Sequence, residues 1–211
     1  MAGRGVFLTV EGIDGAGKST QVRMLAEKLR AAGCEVVETR EPGGAPGAEE
    51  IRRLLVEGDA GRWSPETEVL LFTAARRDHV ERVVEPALAR GAVVLCDRYV
   101  DSTRAYQGAD SAARRETVDT LHRLMIGLDP DLTLIFDMEP RAALTRAEGR
   151  ANGEDRFERK GAAFQDRLRE TFHAIAAAEP NRCVVIDAGR SMEEVAAAVW
   201  AAVAPRLGLD D

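Results

Sequence analysis

The sequence predicts an α/β fold in which a five-stranded parallel β-sheet is covered by helices on both faces. Five short apolar runs, rich in β-branched residues, are continuous rather than alternating, which is typical of strands buried on both faces. Amphipathic stretches long enough for helices separate these runs, and a repeated strand–helix–strand order favours an open parallel sheet. A glycine-rich segment also lies between the first run and the first helical stretch.

The predicted strands are residues 6–10, 34–38, 92–96, 132–136 and 183–186. The first helix is predicted over residues 21–32 and ends at Gly33, because glycine readily adopts the left-handed conformation that terminates helices. A second helix begins at Ser64 as N-cap with Pro65 in its first turn. Pro86 should kink the continuation of that helix, because proline has no N–H to donate.

Two further helices are predicted over residues 117–128 and 161–178. The last helix begins at Ser191, which forms a capping box with Glu194 three residues later. Ligands of open parallel sheets bind at the carboxyl ends of the strands, so the functional residues are expected there.

Composition narrows the possible classes of protein. A length of 211 residues suits a single domain, and 45% hydrophobic with 31% charged residues excludes disordered, collagen-like and membrane classes. The formal net charge of −7 argues against a nucleic-acid or membrane partner. Cys34, Cys96 and Cys183 are odd in number and far apart, which indicates reduced thiols in a cytoplasmic protein.

The glycine-rich segment, residues 12–19, reads GIDGAGKS and matches the phosphate-loop pattern G-x-x-x-x-G-K-S between a strand and a helix. Its backbone N–H groups and the helix N-terminus would surround a phosphate, Lys18 would add a charge and the Ser19 hydroxyl would bind Mg²⁺. The sequence therefore predicts a P-loop NTPase fold with Mg²⁺ as cofactor. The predicted ATP-binding residues in this segment are Gly12, Ile13, Asp14, Gly15, Ala16, Gly17, Lys18, Ser19 and Thr20.

Several classes of P-loop protein fit this sequence poorly. A regulatory GTPase needs an N-K-x-D segment, whereas the only asparagines, Asn152 and Asn181, are followed by glycine and arginine. A motor ATPase or helicase would usually be larger and more basic. Phosphoryl transfer to a small acceptor remains, for which the candidates are the various P-loop nucleoside and nucleotide kinases. A non-catalytic nucleotide-binding regulator is the other alternative.

Charged residues follow the second and third predicted strands. Arg40 comes after the second strand, and Asp97 and Arg98 come directly after the third. Asp97 follows four apolar residues, the Walker-B arrangement in which a carboxylate holds Mg²⁺ directly or through water. A phosphate acceptor brought against a triphosphate needs clustered cations, and arginine binds phosphate in a bidentate way.

Four segments together resemble the bacterial thymidylate kinase family, in its order and spacing from about residue 5 to residue 190. They are residues 11–19, 39–44 (TREPGG), 97–108 (DRYVDSTRAYQG) and 130–137. The resemblance implies transfer of the γ-phosphoryl of ATP to dTMP, which gives dTDP and ADP in dTTP synthesis. It also implies a homodimer formed by helices, for which the apolar residues 69–72 and 80–84 could serve, although core burial explains them equally well.

The resemblance further implies roles for individual residues. Asp14 would contact the acceptor near its sugar or phosphate, Arg76 and Arg98 would hold the acceptor phosphate, and Phe72 would stack on thymine. Arg40 would lie near the transferring group. The residues expected to close around the base and sugar are Thr103, Tyr106 and Gln107. No general base is expected, because the acceptor phosphate is already largely ionised.

Residues 146–160 are polar and contain two glycines, so they are predicted to form a lid. Lids exclude water from phosphoryl transfer, and the variable positions of the phosphate loop contain no arginine. Phosphoryl transfer needs a cation that stabilises the charge of the transition state. The resemblance is to the branch of the family in which an arginine of the lid supplies that cation. Arg150 is therefore the expected catalytic arginine, Arg146 is expected against adenine or the phosphates, and Arg156 is the third candidate.

Overall fold

The computed structural model describes residues 4–59, 61–147 and 162–209. Within them, one parallel sheet has the strand order β2-β3-β1-β4-β5. The strands are β1 (Phe7–Gly12), β2 (Val36–Arg40), β3 (Val93–Asp97), β4 (Leu132–Asp137) and β5 (Cys183–Asp187). The predicted α/β fold with a five-stranded parallel sheet is confirmed, and each predicted strand overlaps an observed one.

Nine α-helices are present in the described ranges. They are α1 (Lys18–Ala31), α2 (Pro46–Val56), α3 (Pro65–His79), α4 (Glu85–Ala89), α5 (Val100–Tyr106), α6 (Ala112–Leu121), α7 (Pro140–Ala147), α8 (Ala162–Ala178) and α9 (Met192–Leu207). Helices α2 and α5 were not predicted from the sequence. Helix α6 begins earlier than predicted because Ser111 caps it, accepting a hydrogen bond from the N–H of Arg114. The capping box of Ser191 and Glu194 is confirmed at the start of α9.

The predicted irregularity near Pro86 is a π-helical turn, Val80–Val84, that joins α3 to α4. Proline cannot donate to the α-helical ladder, and in this turn the N–H of Glu85 donates to the carbonyl of Val80, five residues back. A second π-helical turn, His122–Ile126, follows α6. The chain therefore continues as a helix from α3 into α4, whereas the second turn extends α6 and ends at Gly127.

The two faces of the sheet pack against different hydrophobic clusters. Neighbouring residues of β1 show this division, since Leu8 belongs to a cluster with α1, α8 and α9, whereas Phe7 belongs to one with α3, α4 and α6. Val80 and Val84, two of the apolar residues considered for a dimer, lie in the second cluster and are fully buried. Leu70 on α3 is 58% exposed.

The register of the strands places Arg40 and Asp97, at the ends of β2 and β3, at the same edge of the sheet. Asp97 at the end of β3 is level with Val10 of β1 and with Arg40 of β2. The phosphate loop begins at the same edge, directly after β1. No helix in the described ranges is both long and apolar enough to cross a membrane.

Candidate active site

The phosphate loop depends on glycine at two close approaches. Gly12 has φ 130° and Gly15 has φ 83°, a region that residues with side chains rarely adopt. A Cβ at Gly12 would lie 2.5 Å from the carbonyl oxygen of Phe136, and one at Gly15 would lie 2.0 Å from that of Ala143. Both approaches are to backbone, which cannot move aside easily, so the loop requires glycine at these positions.

Lys18 is folded back into the loop that precedes it. Its Nζ donates to the carbonyl oxygens of Gly12 (3.1 Å) and Ile13 (2.8 Å), and its side chain is buried. Burial and the nearby guanidinium of Arg98 lower the pKa of Lys18 to about 8, although Asp14 and other carboxylates oppose this shift. No side chain caps the N-terminus of α1 at Gly17. The first turn of α1 therefore presents its positive end toward the cavity, as anion sites at helix N-termini do.

Ser19 and Asp97 form a pair whose oxygens suit a magnesium ion. The Ser19 hydroxyl donates to Oδ2 of Asp97 at 3.0 Å, and Oδ1 of Asp97 is buried without a hydrogen-bond partner. A hydroxyl and a carboxylate with an unsatisfied oxygen are hard ligands of the kind Mg²⁺ uses, with water and phosphate completing its shell. The described residues contain no group of three or more His, Cys, Asp or Glu side chains that could hold a metal ion. The pair thus fits an ion shared with a bound phosphate rather than a cage built by protein alone.

Arg98 has the only positive φ among described residues other than glycine, at 69°. Such a conformation costs roughly 1–2 kcal/mol. Its guanidinium donates to Oδ1 of Asp14 (2.5 Å) and to the Ser102 hydroxyl (3.0 Å), and lies 5.1 Å from the centre of the Tyr106 ring. Burial would raise the pKa of Asp14, but Arg98 and Lys18 outweigh it and lower that pKa to about 2. Asp14 of the phosphate loop is therefore ionised at neutral pH and forms an ion pair with Arg98.

Glu11 is linked to Arg98 through the Ser102 hydroxyl. Its buried carboxylate accepts hydrogen bonds from the N–H of Tyr99 (2.7 Å) and the hydroxyl of Ser102 (2.6 Å). Burial and the charge of Asp101 raise the pKa of Glu11 to about 7, while Arg98 and these hydrogen bonds lower it. The chain of contacts runs from Glu11 through Ser102 to Arg98. The sequence analysis assigned Glu11 no role, because nothing local marks a strand carboxylate as the partner of a residue 91 positions away.

At the other end of the cavity, Arg76 is held in a buried network. Its Nε donates to Oε2 of Glu41 (2.7 Å), and its Nη2 donates to the hydroxyl of Thr103 (3.0 Å). His79, also buried, bonds Oε1 of Glu41 through Nδ1 (2.9 Å) and the Thr39 hydroxyl through Nε2 (2.7 Å). The sequence analysis assigned no role to Glu41 or His79. For His79 a signal was present in the sequence, because residues 72, 76 and 79 lie on one face of α3.

A second buried pair lies in the same region. Gln107, at the C-terminal end of α5, donates from Nε2 to Oε2 of Glu68 on α3 at 3.0 Å. The Oε1 atom of Gln107 is buried without a partner. Tyr106 beside it donates its hydroxyl to Oδ2 of Asp14 (3.1 Å), and its ring meets that of Phe164 edge-on.

One cavity of about 460 Å³ joins these features. It brings together most of the residues that the sequence analysis selected: Asp14, Gly15, Gly17, Lys18, Ser19, Arg40, Phe72, Arg76, Asp97, Arg98, Thr103, Tyr106 and Gln107. Lining residues that the sequence analysis did not select are Glu41, Pro42, Arg52, Val56, Tyr99 and Ser102. Five lining side chains are cationic and three are acidic, which suits an anionic ligand.

The predicted loop residues Gly12, Ile13, Ala16 and Thr20 do not line the cavity, and two predicted arginines stand apart from its core. Arg40 lines it but is 55% exposed and pairs with Glu49 at 3.0 Å. Arg146 is exposed near the end of α7 and does not line the cavity. Arg150, like the third lid candidate Arg156, lies outside the described residues. The roles assigned to these arginines remain predictions.

Comparison with known proteins identifies the family of the chain. A sequence model of the family described as thymidylate kinase matches residues 10–199. A thymidylate kinase of Ruegeria pomeroyi is 61% identical over 199 residues, 94% of each chain, and one of Dinoroseobacter shibae is 62% identical over 197 residues, 93% of this chain and 95% of the relative. The crystal structure of thymidylate kinase from Ehrlichia chaffeensis superposes with a TM-score of 0.75 at 34% identity, covering 95% of this chain and 99% of the other. These findings confirm the P-loop NTPase fold and the resemblance inferred from the four sequence segments, and the chain belongs to the thymidylate kinase family.

Proposed function

We propose that this chain transfers the γ-phosphoryl of ATP to dTMP in the cavity between the phosphate loop and helices α3 and α5. As a member of its family, the chain is a phosphotransferase that uses these two substrates and forms ADP and dTDP. The observation that carries the proposal is the continuity of the cavity, which is lined by Lys18 at one end and by Gln107 at the other. A phosphate donor and a nucleotide acceptor can therefore meet within it.

At the donor end, the loop glycines and the N-terminus of α1 bind the triphosphate of ATP. Lys18 exchanges its two carbonyl partners for phosphate oxygens, whose negative charge raises the pKa that burial had lowered. Ser19 and Asp97 would hold Mg²⁺, for which the unpaired Oδ1 of Asp97 is the supporting observation. When bound, Mg²⁺ neutralises charge on the phosphate oxygens during transfer.

At the acceptor end, Arg98 binds the phosphate of dTMP, with Asp14 fixing the direction of its guanidinium. The sequence analysis assigned Arg76 to that phosphate as well. Its charge is already balanced by Glu41, and its Nη2 bonds Thr103, which is expected beside the base and sugar. We therefore assign Arg76 to the base end of dTMP, where a guanidinium donates to a neutral carbonyl, with Phe72 stacking on the ring.

The chemical step needs positioning and charge neutralisation rather than a general base. An oxygen of the dTMP phosphate attacks the γ-phosphorus, the bond between that phosphorus and the β,γ-bridging oxygen breaks, and ADP leaves with the electron pair. Lys18, Arg98 and Arg150 of the proposed lid over residues 146–160 stabilise the charge on the transferring group. Arg40 lies nearby, although its exposed pair with Glu49 also suits a role in holding its own loop.

We also propose the setting in which this reaction occurs. The whole chain acts as one nucleotide-kinase domain, in the cytoplasm, in the synthesis of dTTP, and without a nucleic-acid or membrane partner. The family resemblance supports a homodimer formed by helices. On α3, exposed Leu70 is the apolar residue available for that contact, because Val80 and Val84 are used by the core.

A coupled assay of ADP release over a panel of nucleoside monophosphates tests the function. We expect the highest kcat/KM with dTMP and dependence on Mg²⁺. Preference for another monophosphate would support the alternative of a different P-loop nucleotide kinase. Nucleotide binding without acceptor-dependent turnover would support a regulator instead.

A further inference from the structure

The turn that follows β3, residues 98–102, holds Arg98 in an unfavourable backbone conformation. Arg98 has φ 69°, which residues with a Cβ rarely adopt. Its side chain is only 17% exposed, and its guanidinium donates to Asp14 and to the hydroxyl of Ser102. Strained backbone persists only where neighbouring contacts fix it, so the contacts that hold this turn decide where Arg98 points.

Glu11, the last side chain of β1 before the phosphate loop, provides such contacts. Its carboxylate is fully buried. Within the described ranges it accepts hydrogen bonds from the N–H of Tyr99 (2.7 Å), the N–H of Ser102 (3.2 Å) and the hydroxyl of Ser102 (2.6 Å). Tyr99 directly follows the strained residue, and Ser102 ends the turn. One carboxylate therefore fixes both the backbone that leaves Arg98 and a side chain that Arg98 contacts.

The charge of Glu11 also determines the direction of the Ser102 hydroxyl. A hydroxyl has one proton to donate and lone pairs that accept, whereas an ionised carboxylate only accepts. Because Oε2 of Glu11 takes the proton of Ser102, a lone pair of that hydroxyl is left for Nη1 of Arg98 at 3.0 Å. An amide in place of the carboxylate could donate to Ser102 instead, and the hydroxyl proton would then be free to turn toward the guanidinium and oppose it.

Glu11 can influence the substrates only through the residues that it holds, because it does not line the cavity, whereas Arg98 and Ser102 do. Arg98 lies close to the phosphate loop, since its charge lowers the pKa values of both Lys18 and Asp14. A small displacement of that guanidinium would therefore change the charge at the point where the donor and acceptor phosphates are proposed to meet.

We propose that Glu11 is a positioning residue for phosphoryl transfer, which holds residues 98–102 so that the Arg98 guanidinium faces the acceptor phosphate. This inference rests on the proposed function, in which Arg98 binds the phosphate of dTMP. Glu11 contacts neither substrate and exchanges no proton with them. Its contribution should therefore appear in the use of dTMP and disappear when the Arg98 side chain is removed.

A double-mutant cycle of Glu11→Gln with Arg98→Ala tests this inference. Glutamine keeps the side-chain length and can still accept from the two N–H groups, but it carries no charge to fix the Ser102 hydroxyl. The quantity to measure is kcat/KM for dTMP at saturating ATP and about pH 8, because burial raises the pKa of Glu11 to about 7 and the carboxylate is ionised above it. We expect Glu11→Gln to lower this quantity about tenfold in the unsubstituted chain and less than about twofold beside Arg98→Ala, with the KM for ATP unchanged.

The matched control is Glu81→Gln, which removes the same charge from an exposed pair with Arg77. It should leave kcat/KM for dTMP unchanged, both alone and beside Arg98→Ala. A merely structural role of Glu11 would lower kcat/KM by the same factor in both backgrounds, and that result would overturn the inference. A KM for ATP that rises as much as the KM for dTMP would also overturn it, because Glu11 would then act through the phosphate loop.

If Glu11→Gln does not fold, Ser102→Ala takes its place in the cycle, because it removes the hydroxyl that links Glu11 to Arg98 and leaves the carboxylate its two N–H donors. Equal factors in the two backgrounds would again contradict the inference, and a factor that vanishes beside Arg98→Ala would support it. Absence of dTMP turnover in the unsubstituted chain is a separate result, which would overturn the proposed function itself.

Discussion

The two ends of the cavity are built in different ways. The donor end is local, since the glycines, Lys18 and Ser19 lie within one short stretch, and Lys18 bonds carbonyls only five and six positions away. The acceptor end is assembled from distant pairs, such as Arg76 with Glu41 at 35 positions and Gln107 with Glu68 at 39. Contiguous residues can be read as a motif, whereas pairs that only the fold brings together cannot.

The ends also differ in how their charges are satisfied. The donor end has a lysine whose pKa burial lowers and a carboxylate oxygen of Asp97 without a hydrogen-bond partner, which a bound phosphate and Mg²⁺ respectively would stabilise. The acceptor end has Arg76 already neutralised by Glu41 in a buried pair. The donor end is suited to strong, general binding of polyphosphate, and the acceptor end to selective hydrogen bonding with a mostly neutral base.

The largest expected effect concerns the proposed lid over residues 146–160, from which Arg150 is predicted to act on the transferring group. Arg150→Ala should lower kcat by about 10³-fold or more while leaving the KM for dTMP nearly unchanged, because the arginine acts on the transition state. Steady-state kinetics of Arg150→Ala beside Arg146→Ala and Arg156→Ala would measure it. Normal turnover of the Arg150 variant would move the role to whichever of the other two is impaired.

Removing the donor-end cation should come next. Lys18→Ala should lower kcat by roughly 10²- to 10³-fold, because a preorganised donor to the transferring phosphate is lost. The matched control is Lys28→Ala, which removes an exposed lysine that lies over the ring of Trp200 and should leave kcat unchanged. Equal kcat in the two variants would contradict the assignment of Lys18.

Arg98 lies where the two ends meet, so its loss should affect both kinetic constants. Arg98→Ala should raise the KM for dTMP and lower kcat, with a combined fall in kcat/KM of about 10²-fold or more. Arg90→Ala, at an exposed surface pair with Glu35, is the control. A change in kcat alone would mean that Arg98 serves only the transferring group.

Breaking the buried pair at the acceptor end should affect stability as well as binding. Glu41→Gln leaves Arg76 without its counter-charge, which should cost about 3–5 kcal/mol of unfolding free energy. The melting temperature should fall by roughly 10 °C, and the KM for dTMP should rise while that for ATP does not. Glu35→Gln, which breaks a half-exposed pair, should cost under about 1 kcal/mol. Equal losses in the two variants would contradict the importance of the buried network.

The smallest effect is the pH dependence of the donor end. Lys18 has a pKa of about 8 in the free protein, so it is charged below that pH and loses its charge above it. The KM for ATP should therefore rise above pH 8, approaching tenfold per pH unit, while kcat at saturating ATP changes less because bound phosphate retains the proton. The KM for dTMP at saturating ATP is the internal control. A constant KM for ATP up to pH 9 would contradict the lowered pKa.

Some elements were predictable because their signal is local. The strands are continuous apolar runs, and the capping box of Ser191 and Glu194 needs only two side chains three residues apart. Helix α5 was missed because its seven residues are too few to show a helical period. Helix α2 was missed although its apolar residues recur at helical spacing, and only Ala48 and Leu55 of them are buried. The role of Glu11 was equally hidden, because its partners Tyr99 and Ser102 arrive through the crossover from β3.

By itself the sequence determined the parallel sheet, the phosphate loop, the family and most of the residues that line the cavity, because strand periodicity and contiguous motifs are properties of neighbouring residues. Only the tertiary structure decided the partners of those residues. It paired Arg76 with Glu41, opposed Gln107 to Glu68 and left Oδ1 of Asp97 open. The physical reason is that the charge balance and hydrogen-bond direction of a buried group depend on what packs against it, and here those neighbours come from other strands and helices.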